Sequence, residues 1–329
     1  MTCICVFELP HIFIVFPPGT GGNFLAGLIS KLINLDQSEL HVSNNGSSHT
    51  SIDRKVAGTD YMSFGTVYDD QLSFASPEQR LTYYLKNIEK LDGEITTPQV
   101  VWSHDFTNIP LYKNFFPNSK ILVITQNSDI EKLVAVCMNV VKNWMDPNHV
   151  APFPPEQWAK LNDILDTILE HSLRPIVGEK SKEVVKNKFT GDNYNLVKFI
   201  RIRNLLSYFG LLHLVDKNSP PTKDVTNVVL FRTPFEEFIK NMKGPSYKTG
   251  LPCESYYTQD SVLLPYSYLI EGRANLLVDA IESTVGKLTD SQRIYIAVQF
   301  NKYRDMQDQV MLTDPYKYFS DLKNTVFKK

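Results

Sequence analysis

Residues 12–34 constrain the fold of this chain more than any other segment. Residues 12–16 form a continuous apolar run with β-branched side chains, which is typical of a strand buried on both faces in a parallel sheet. From Phe24 onward, apolar residues recur at helical spacing, so a helix is predicted to follow directly. The glycine turn between strand and helix, residues 17–22, contains Gly19, Gly21 and Gly22. The segment therefore predicts a strand, a tight turn and a helix in succession.

The glycine turn is suited to binding phosphate groups. Glycine has no side chain, so backbone N–H groups can face an anion, and the helix N-terminus adds partial positive charge and unpaired donors. The turn is not a Walker A loop, because no Gly-Lys-Ser/Thr sequence follows the last glycine. Thr20 and Asn23 could each bind a phosphate oxygen or cap the helix. A turn that needs glycine only for close packing is the alternative interpretation.

The composition is that of a globular protein with no general attraction for polyanions. The chain has 329 residues, of which 43% are hydrophobic, which is ample for a core. It carries 34 basic and 36 acidic residues, and its pI is about 6.4. These values predict no binding to nucleic acid or to an anionic membrane.

The cysteines suggest a reducing compartment, and the N-terminal sequence suggests a soluble, intracellular protein. The four cysteines are too few and too scattered for a disulfide framework, and the pair Cys3 and Cys5 lacks a second Cys/His pair for a metal. The N-terminus lacks the features of a secretory signal, and no apolar segment approaches the ~20 residues of a membrane span. We expect a soluble, cytoplasmic protein without a metal.

Two further predicted strands end in polar residues. Residues 99–103 form a short apolar strand that is followed by His104, and residues 120–125 form another that is followed by Gln126, Asn127 and Ser128. Ligands of open α/β sheets gather at the carboxyl ends of strands, so His104 is expected close to the glycine turn. A histidine that only caps a strand end or bonds to nearby backbone is the alternative.

The rest of the chain is predicted to be mainly helical. Residues 146–225 are interpreted as a helical insertion or subdomain within a single α/β domain of residues 1–329. Its arginines Arg174, Arg201 and Arg203 are interpreted as surface or interhelical charges rather than ligand contacts. Pro265 would confine the strand predicted at 262–266 to a sheet edge, or would mark the end of that strand. The other predicted elements are a surface loop at 41–58, helices at 77–91, 129–144, 274–284 and 290–309, and strands at 227–231 and 262–266. The buried side of the helix at 290–309 is predicted to carry Ile294, Ala297, Phe300 (with Ile296) and Tyr303.

Taken in order, several segments resemble those of the sulfotransferase family. Its members transfer a sulfuryl group from 3′-phosphoadenylyl sulfate (PAPS) to a hydroxyl or amine. Residues 16–25 resemble the family's 5′-phosphosulfate loop, and residues 100–104 resemble its strand that ends in the catalytic histidine. Residues 116–127 resemble its 3′-phosphate strand, and residues 262–270 resemble its later Tyr-x-x-Leu strand end.

The resemblance implies a P-loop-type central parallel sheet flanked by helices. It also implies His104 as the general base and PAPS as the co-substrate, together with an acceptor that the sequence does not identify. Gln126 and Ser128 would hold the 3′-phosphate, and no metal is expected. The residues implied for the 5′-phosphosulfate are Pro18, Gly19, Thr20, Gly21, Gly22, Asn23 and Phe24.

The sequence departs from the family at two cofactor contacts. Pro18 stands where the family loop usually carries a lysine, and Gln126 replaces an arginine, so a charge-assisted contact to the 3′-phosphate is lost. The family serine that assists this arginine corresponds to Ser128 or to Cys137. The missing positive charge could come from Lys31, from Lys120 or from an arginine of the insertion.

Three functions stay open from the sequence. The first is a PAPS-dependent sulfotransferase, the second is another P-loop enzyme such as a nucleotide or small-molecule kinase, and the third is a P-loop scaffold that binds or supports without catalysis. Preference for 3′-phosphoadenosine 5′-phosphate would favour the first, and preference for ATP with Mg²⁺ the second. No binding of nucleotide would favour the third. The oligomeric state is left open.

Overall fold

The described residues of the chain fall into two compact units. The first unit draws on the described parts of Met1–Asn127 and Asn241–Gln307, and the second on those of Ser128–Lys240 and Asp308–Lys329. The computed structural model describes residues 11–17, 19–34, 62–63, 100–103, 106, 109–147, 155–218 and 260–327. Outside them lie the predicted loop at 41–58, the predicted helix at 77–91, the predicted strand at 227–231, Pro18, His104, Cys3, Cys5 and Cys253.

The described elements make a mixed α/β protein that has more helix than strand. Two short 3₁₀ turns are also described: Gly178–Lys180 lies between two helices, and Leu212–Leu214 follows a helix. In chain order the strands are β1 (Ile12–Val15), β2 (Met62–Ser63), β3 (Val100–Ser103), β4 (Lys120–Thr125) and β5 (Ser261–Pro265). The helices are α1 (Gly22–Asn34), α2 (Ile109–Phe115), α3 (Asp129–Asn139), a π-helical turn (Val140–Trp144), α4 (Pro155–Val177), α5 (Ser181–Lys186), α6 (Gly191–Tyr208), α7 (Tyr266–Glu271), α8 (Ala274–Val285), α9 (Asp290–Asp305), α10 (Gln309–Thr313) and α11 (Pro315–Phe327).

A parallel sheet forms the core of the first unit. Its strands lie in the order β2-β3-β1-β4-β5, so β1 is central. Ile12 of β1 is in register with Val100 of β3 on one side and with Lys120 of β4 on the other. Pro265 ends β5 at one edge of the sheet, as predicted for a strand that contains proline. Because all pairs are parallel, the carboxyl ends of the strands share one edge.

β1 is buried along its whole length, as its apolar run predicts. The Phe13 ring stacks on Tyr112 of α2, with a centroid distance of 4.0 Å and an interplanar angle of 7°. Full burial of a side chain of this size contributes roughly 1.5–3 kcal/mol. α1 packs against β1 and β3, and α8 and α9 pack against α1. The sheet is thus covered by helices, and β1 fixes the place from which the glycine turn departs.

The predicted helix at 290–309 differs from the structure in its end and in its buried face. α9 ends at Asp305, and Asp308 then caps a new helix by accepting a hydrogen bond from the Met311 N–H at 3.0 Å. Ile294 was expected on the buried side but is 64% exposed. The buried positions Ile296, Phe300 and Tyr303 follow helical spacing, and Ile294 lies two residues from the first of them, on the opposite face.

Helices are the regular elements that the structure describes in the second unit, and turns join them. α4, α5 and α6 lie in the segment predicted to be mainly helical. Arg201 of α6 is buried, and its guanidinium donates to Asp166 of α4 at 3.3 Å and to the Trp144 carbonyl. Arg174 pairs with Glu170 at 2.7 Å on the surface. These two arginines are an interhelical and a surface charge, as predicted.

Candidate functional site

The glycine turn lies at the carboxyl end of the central strand. From β1 the chain passes to β2 and β3 on one side, and from β3 it crosses to β4 on the other side of β1. In open α/β sheets, ligands bind outside the carboxyl ends of the strands where the strand order reverses in this way. The glycine turn is therefore at the position where that rule expects a ligand.

Each of the three glycines has a structural reason. Gly19 and Gly21 have φ angles of 85° and 79°, which lie in the left-handed region that favours glycine. A Cβ atom at Gly22 would overlap the Phe16 ring, so only glycine allows the end of β1 to approach the start of α1 this closely. Close packing thus accounts for Gly22, while Gly19 and Gly21 set the path of the backbone.

Two hydrogen bonds made by Thr20 stabilise the glycine turn. Its hydroxyl donates to the Pro17 carbonyl at 2.7 Å, and its backbone N–H donates to the same oxygen at 3.3 Å. Thr20 is fully buried, and Asn23 is buried in the first turn of α1. The backbone of the turn is therefore held in one conformation by its own hydrogen bonds.

Two tyrosines from distant parts of the chain contact the turn. Tyr266, the first residue of α7, donates its hydroxyl to the Gly19 carbonyl at 3.0 Å. The Tyr303 hydroxyl oxygen lies 2.8 Å from the point that a Gly21 Cβ would occupy. Burial raises the pKa of Tyr303, so its phenol stays neutral and can donate a hydrogen bond. Phe24 stacks on the Tyr303 ring at 4.2 Å.

Sequence reasoning did not assign these tyrosines to the site. Tyr266 follows the carboxyl end of β5, so the rule that polar residues at strand ends gather at one edge could have selected it. Tyr303 was predicted only as a buried residue of its helix. No local signal marks a side chain on α9 as a neighbour of the turn.

Neither lysine proposed for the missing positive charge lies near the turn. Lys31 is in the last turn of α1, nine residues after Gly22, which is about 13 Å along the helix axis. Lys120 begins β4 and thus lies at the amino edge of the sheet, about 16 Å along the strand from Thr125. The expectation that either could replace the family lysine was wrong, because both stand at the opposite end of their elements.

The remaining predicted residues have different surroundings. Gln126 is half-buried and directly follows β4 at the carboxyl edge of the sheet. Ser128 opens α3, where its hydroxyl accepts from the Glu131 N–H at 3.3 Å and its own N–H donates to the Glu131 carboxylate at 3.2 Å. Cys137 is buried inside α3, and burial raises the pKa of its thiol to about 12. The structure thus brings residues 19–24 and Gln126 to one edge of the sheet, and it uses Ser128 as a helix cap.

Comparison of the chain with models of protein families, with curated proteins and with solved structures found no match. Within the described ranges, no group of three or more His, Cys, Asp or Glu side chains is arranged to hold a metal ion. None of the helices that the structure describes combines the length and apolar character that a membrane crossing needs. Function is therefore inferred from the glycine turn and the residues around it.

Proposed function

We propose that the protein is a sulfotransferase-like enzyme with a P-loop-type fold. In this proposal the glycine turn and the start of α1 bind the 5′-phosphosulfate of PAPS, and the sulfuryl group moves to a hydroxyl or amine. The observation that carries the proposal is the place of the turn, at the carboxyl end of the central strand and directly before a helix of 13 residues. Helix N-termini at such positions are favourable sites for phosphate groups.

Backbone amides would supply most of the contacts to the phosphosulfate. The Leu25 N–H donates to the Gly21 carbonyl at 3.1 Å and makes the first hydrogen bond of α1. Helix geometry provides no carbonyl acceptor for the N–H groups that precede it. The partial positive charge of the helix end also favours an anion, typically by 0.3–1 kcal/mol. These terms would partly compensate for the missing lysine.

His104 would accept the acceptor's proton. The acceptor oxygen or nitrogen would bond to sulfur as the bond between sulfur and the bridging phosphate oxygen breaks, which leaves 3′-phosphoadenosine 5′-phosphate. As in phosphoryl transfer, the protein's contribution would be positioning and charge stabilisation. The Tyr303 phenol lies against Gly21 and is kept neutral by burial, so it adds no negative charge beside a phosphosulfate.

A scaffold that binds the nucleotide without catalysis is the second candidate. It is favoured by the positions of Lys31 and Lys120, which leave the turn without either of the lysines considered as replacements. Backbone amides would then make most of the contacts to the phosphates, without either lysine to stabilise a departing dianion. Binding without transfer would be the signature of this alternative.

Calorimetric titration with 3′-phosphoadenosine 5′-phosphate tests the site. We expect binding at least tenfold tighter than that of ATP with Mg²⁺. Gly21→Ala should weaken it at least tenfold, because the new methyl group strains the turn and crowds Tyr303. Gly178→Ala is the matched control, since Gly178 also has a positive φ, of 60°, but has no neighbour within 4 Å of a Cβ.

Unchanged affinity in Gly21→Ala would show that the glycine turn does not bind the nucleotide. His104→Ala then separates the two candidates, with sulfuryl transfer from PAPS as the readout. In an enzyme this variant should lose transfer while its affinity for the nucleotide is retained. Wild-type protein that binds the nucleotide but transfers nothing to any hydroxyl or amine acceptor would favour the scaffold.

A further inference from the structure

An open cavity lies entirely within the second unit. Helices α4, α6 and α11 and the 3₁₀ turn Leu212–Leu214 line this cavity, which has a volume of about 460 Å³. Small-molecule sites are usually clefts of about 300–1,000 Å³ with apolar walls and a few polar groups. The cavity has the size of such a site.

The inner walls of the cavity are apolar and aromatic. The centroid of the Phe199 ring lies 5.0 Å from that of Phe319 and 5.5 Å from that of Phe327. The planes of the Phe199 and Phe327 rings make an angle of 83°, which is an edge-to-face arrangement. Aromatic rings favour offset or edge-to-face packing, and a further flat apolar group can join such a cluster. The other buried apolar side chains of the wall are Ile168, Ile200 and Leu212.

The polar groups of the cavity are mainly cationic or hydrogen-bond donors. Arg203, Lys323 and His171 line it, and Asp216 is the acidic lining residue. No hydrogen bond or ion pair to another described residue engages Arg203, Lys323 or His171. Asp216 accepts a hydrogen bond from the backbone N–H of Asn218 at 3.2 Å. The lining therefore has an excess of donors that could serve an anion.

Arg203 differs from the other two arginines of the predicted insertion. Arg174 and Arg201 each have a carboxylate partner, Glu170 and Asp166 respectively. Arg203 is half-buried beside apolar side chains and has no such partner among the described residues. A guanidinium partly withdrawn from water is costly unless it is paired, and a bound carboxylate would pair with it through two parallel hydrogen bonds.

We propose that this cavity binds a small amphipathic carboxylate, with an aromatic or short aliphatic body. The body packs against Phe199 and Phe319, and the carboxylate pairs with Arg203. Lys323 and His171 add further donors at the same lining. This site is independent of the glycine turn and of the proposed sulfuryl transfer.

The test uses two probes with the same apolar body, naphthalene-2-carboxylate and the neutral naphthalene-2-carboxamide. Titration calorimetry with the full chain should show the carboxylate binding at least tenfold tighter than the carboxamide. Arg203→Gln should remove this difference and leave the affinity for the carboxamide unchanged. Ile176→Trp should weaken both probes at least tenfold, because Ile176 lines the cavity and is 41% exposed, so a larger side chain can fill the mouth without crowding the core.

Lys182→Gln is the control, since it removes an exposed cation of the same unit that does not line the cavity. It should leave both affinities unchanged. Far-ultraviolet circular dichroism checks that each variant is folded. If Arg203→Gln is not folded, Arg203→Lys replaces it and should reduce the preference for the carboxylate, because lysine cannot form the two parallel hydrogen bonds. Equal affinity for the two probes, no binding of either at millimolar concentration, or an unchanged carboxylate preference in the variant would overturn the proposal.

Discussion

At the scale of single residues, burial strongly alters the acid–base chemistry of Lys142. It lies in the π-helical turn Val140–Trp144 and is buried, which lowers its pKa from 10.5 to about 7. Between these two values the unfolded chain binds a proton at Lys142 that the folded chain has lost. Stability must therefore rise with pH across this interval, and the penalty for a charged Lys142 is fully present below pH 7.

Lys142→Met should remove this pH dependence. We expect the free energy of unfolding of the wild type, relative to that of the variant, to rise between pH 7.5 and 9.5 by up to about 1.4 kcal/mol per pH unit, the limit for one proton. Urea unfolding followed by circular dichroism measures the difference. Lys182→Met, at an exposed position, should keep the wild-type slope. Parallel pH profiles for wild type and Lys142→Met would contradict the assignment.

At the scale of elements, α4 and α6 are joined by a partly buried ion-pair network. Asp166 of α4 pairs with Arg201 and with Lys188, and Arg201 has a side chain that is only 6% exposed. Burial lowers the pKa of Arg201 to about 10, and the charge of Asp166 opposes this shift. A guanidinium in such a place needs its carboxylate more than a surface arginine does.

Asp166→Asn should destabilise the protein by about 3 kcal/mol, the lower end of the range for breaking a buried pair, because Asp166 keeps 28% exposure. Glu170→Gln on the same helix is the matched control. It breaks the Arg174 pair, whose side chains are 50% and 24% exposed, and should cost less than about 1 kcal/mol. Unfolding midpoints in urea compare the two variants. Similar losses in both would show that burial does not set the strength of the network.

The sequence predicted elements best where the information is local. The run at residues 12–16, the glycines and the helical spacing after Phe24 together define β1, the glycine turn and α1. The buried face of α9 was harder to predict, because Ile294 and Ile296 are both apolar and packing in the folded protein decides which of them is buried. The contact of Tyr303 with Gly21 could not be predicted from the sequence, since the two residues are far apart in the chain and only the tertiary structure brings them together.

At the scale of the whole molecule, each compact unit contains residues from separate parts of the chain. The first unit is completed by β5, which pairs with β4 although Ile121 and Ser261 are 140 residues apart in sequence. Local patterns predict β5 as a strand but do not reveal its partner or the division into two units. Closing such a long loop costs conformational entropy, and this cost is offset only after β5 has paired with β4.

Leu264→Ala tests how much the sheet depends on β5. Leu264 is fully buried, so truncation should cost about 2–5 kcal/mol and increase hydrogen exchange in β4 and β1. The neighbouring Leu263 is 47% exposed, and Leu263→Ala should cost less than about 1 kcal/mol. Hydrogen exchange measured by mass spectrometry on peptides from β1 and β4 compares the variants. Equal protection in both would show that β5 adds little to the sheet.

The late position of β5 in the chain also affects how the protein is made. As the chain leaves the ribosome, β1, β3 and β4 emerge well before β5, and at about 5–20 residues per second the delay after β4 is roughly ten seconds. During this time β4 presents an unpaired edge to the cell, which is a template for aggregation. The Gly19 carbonyl also lacks its hydrogen-bond donor until Tyr266 is synthesised, directly after β5. We expect a chaperone that binds this edge to reduce aggregation of the nascent chain until translation has passed residue 266.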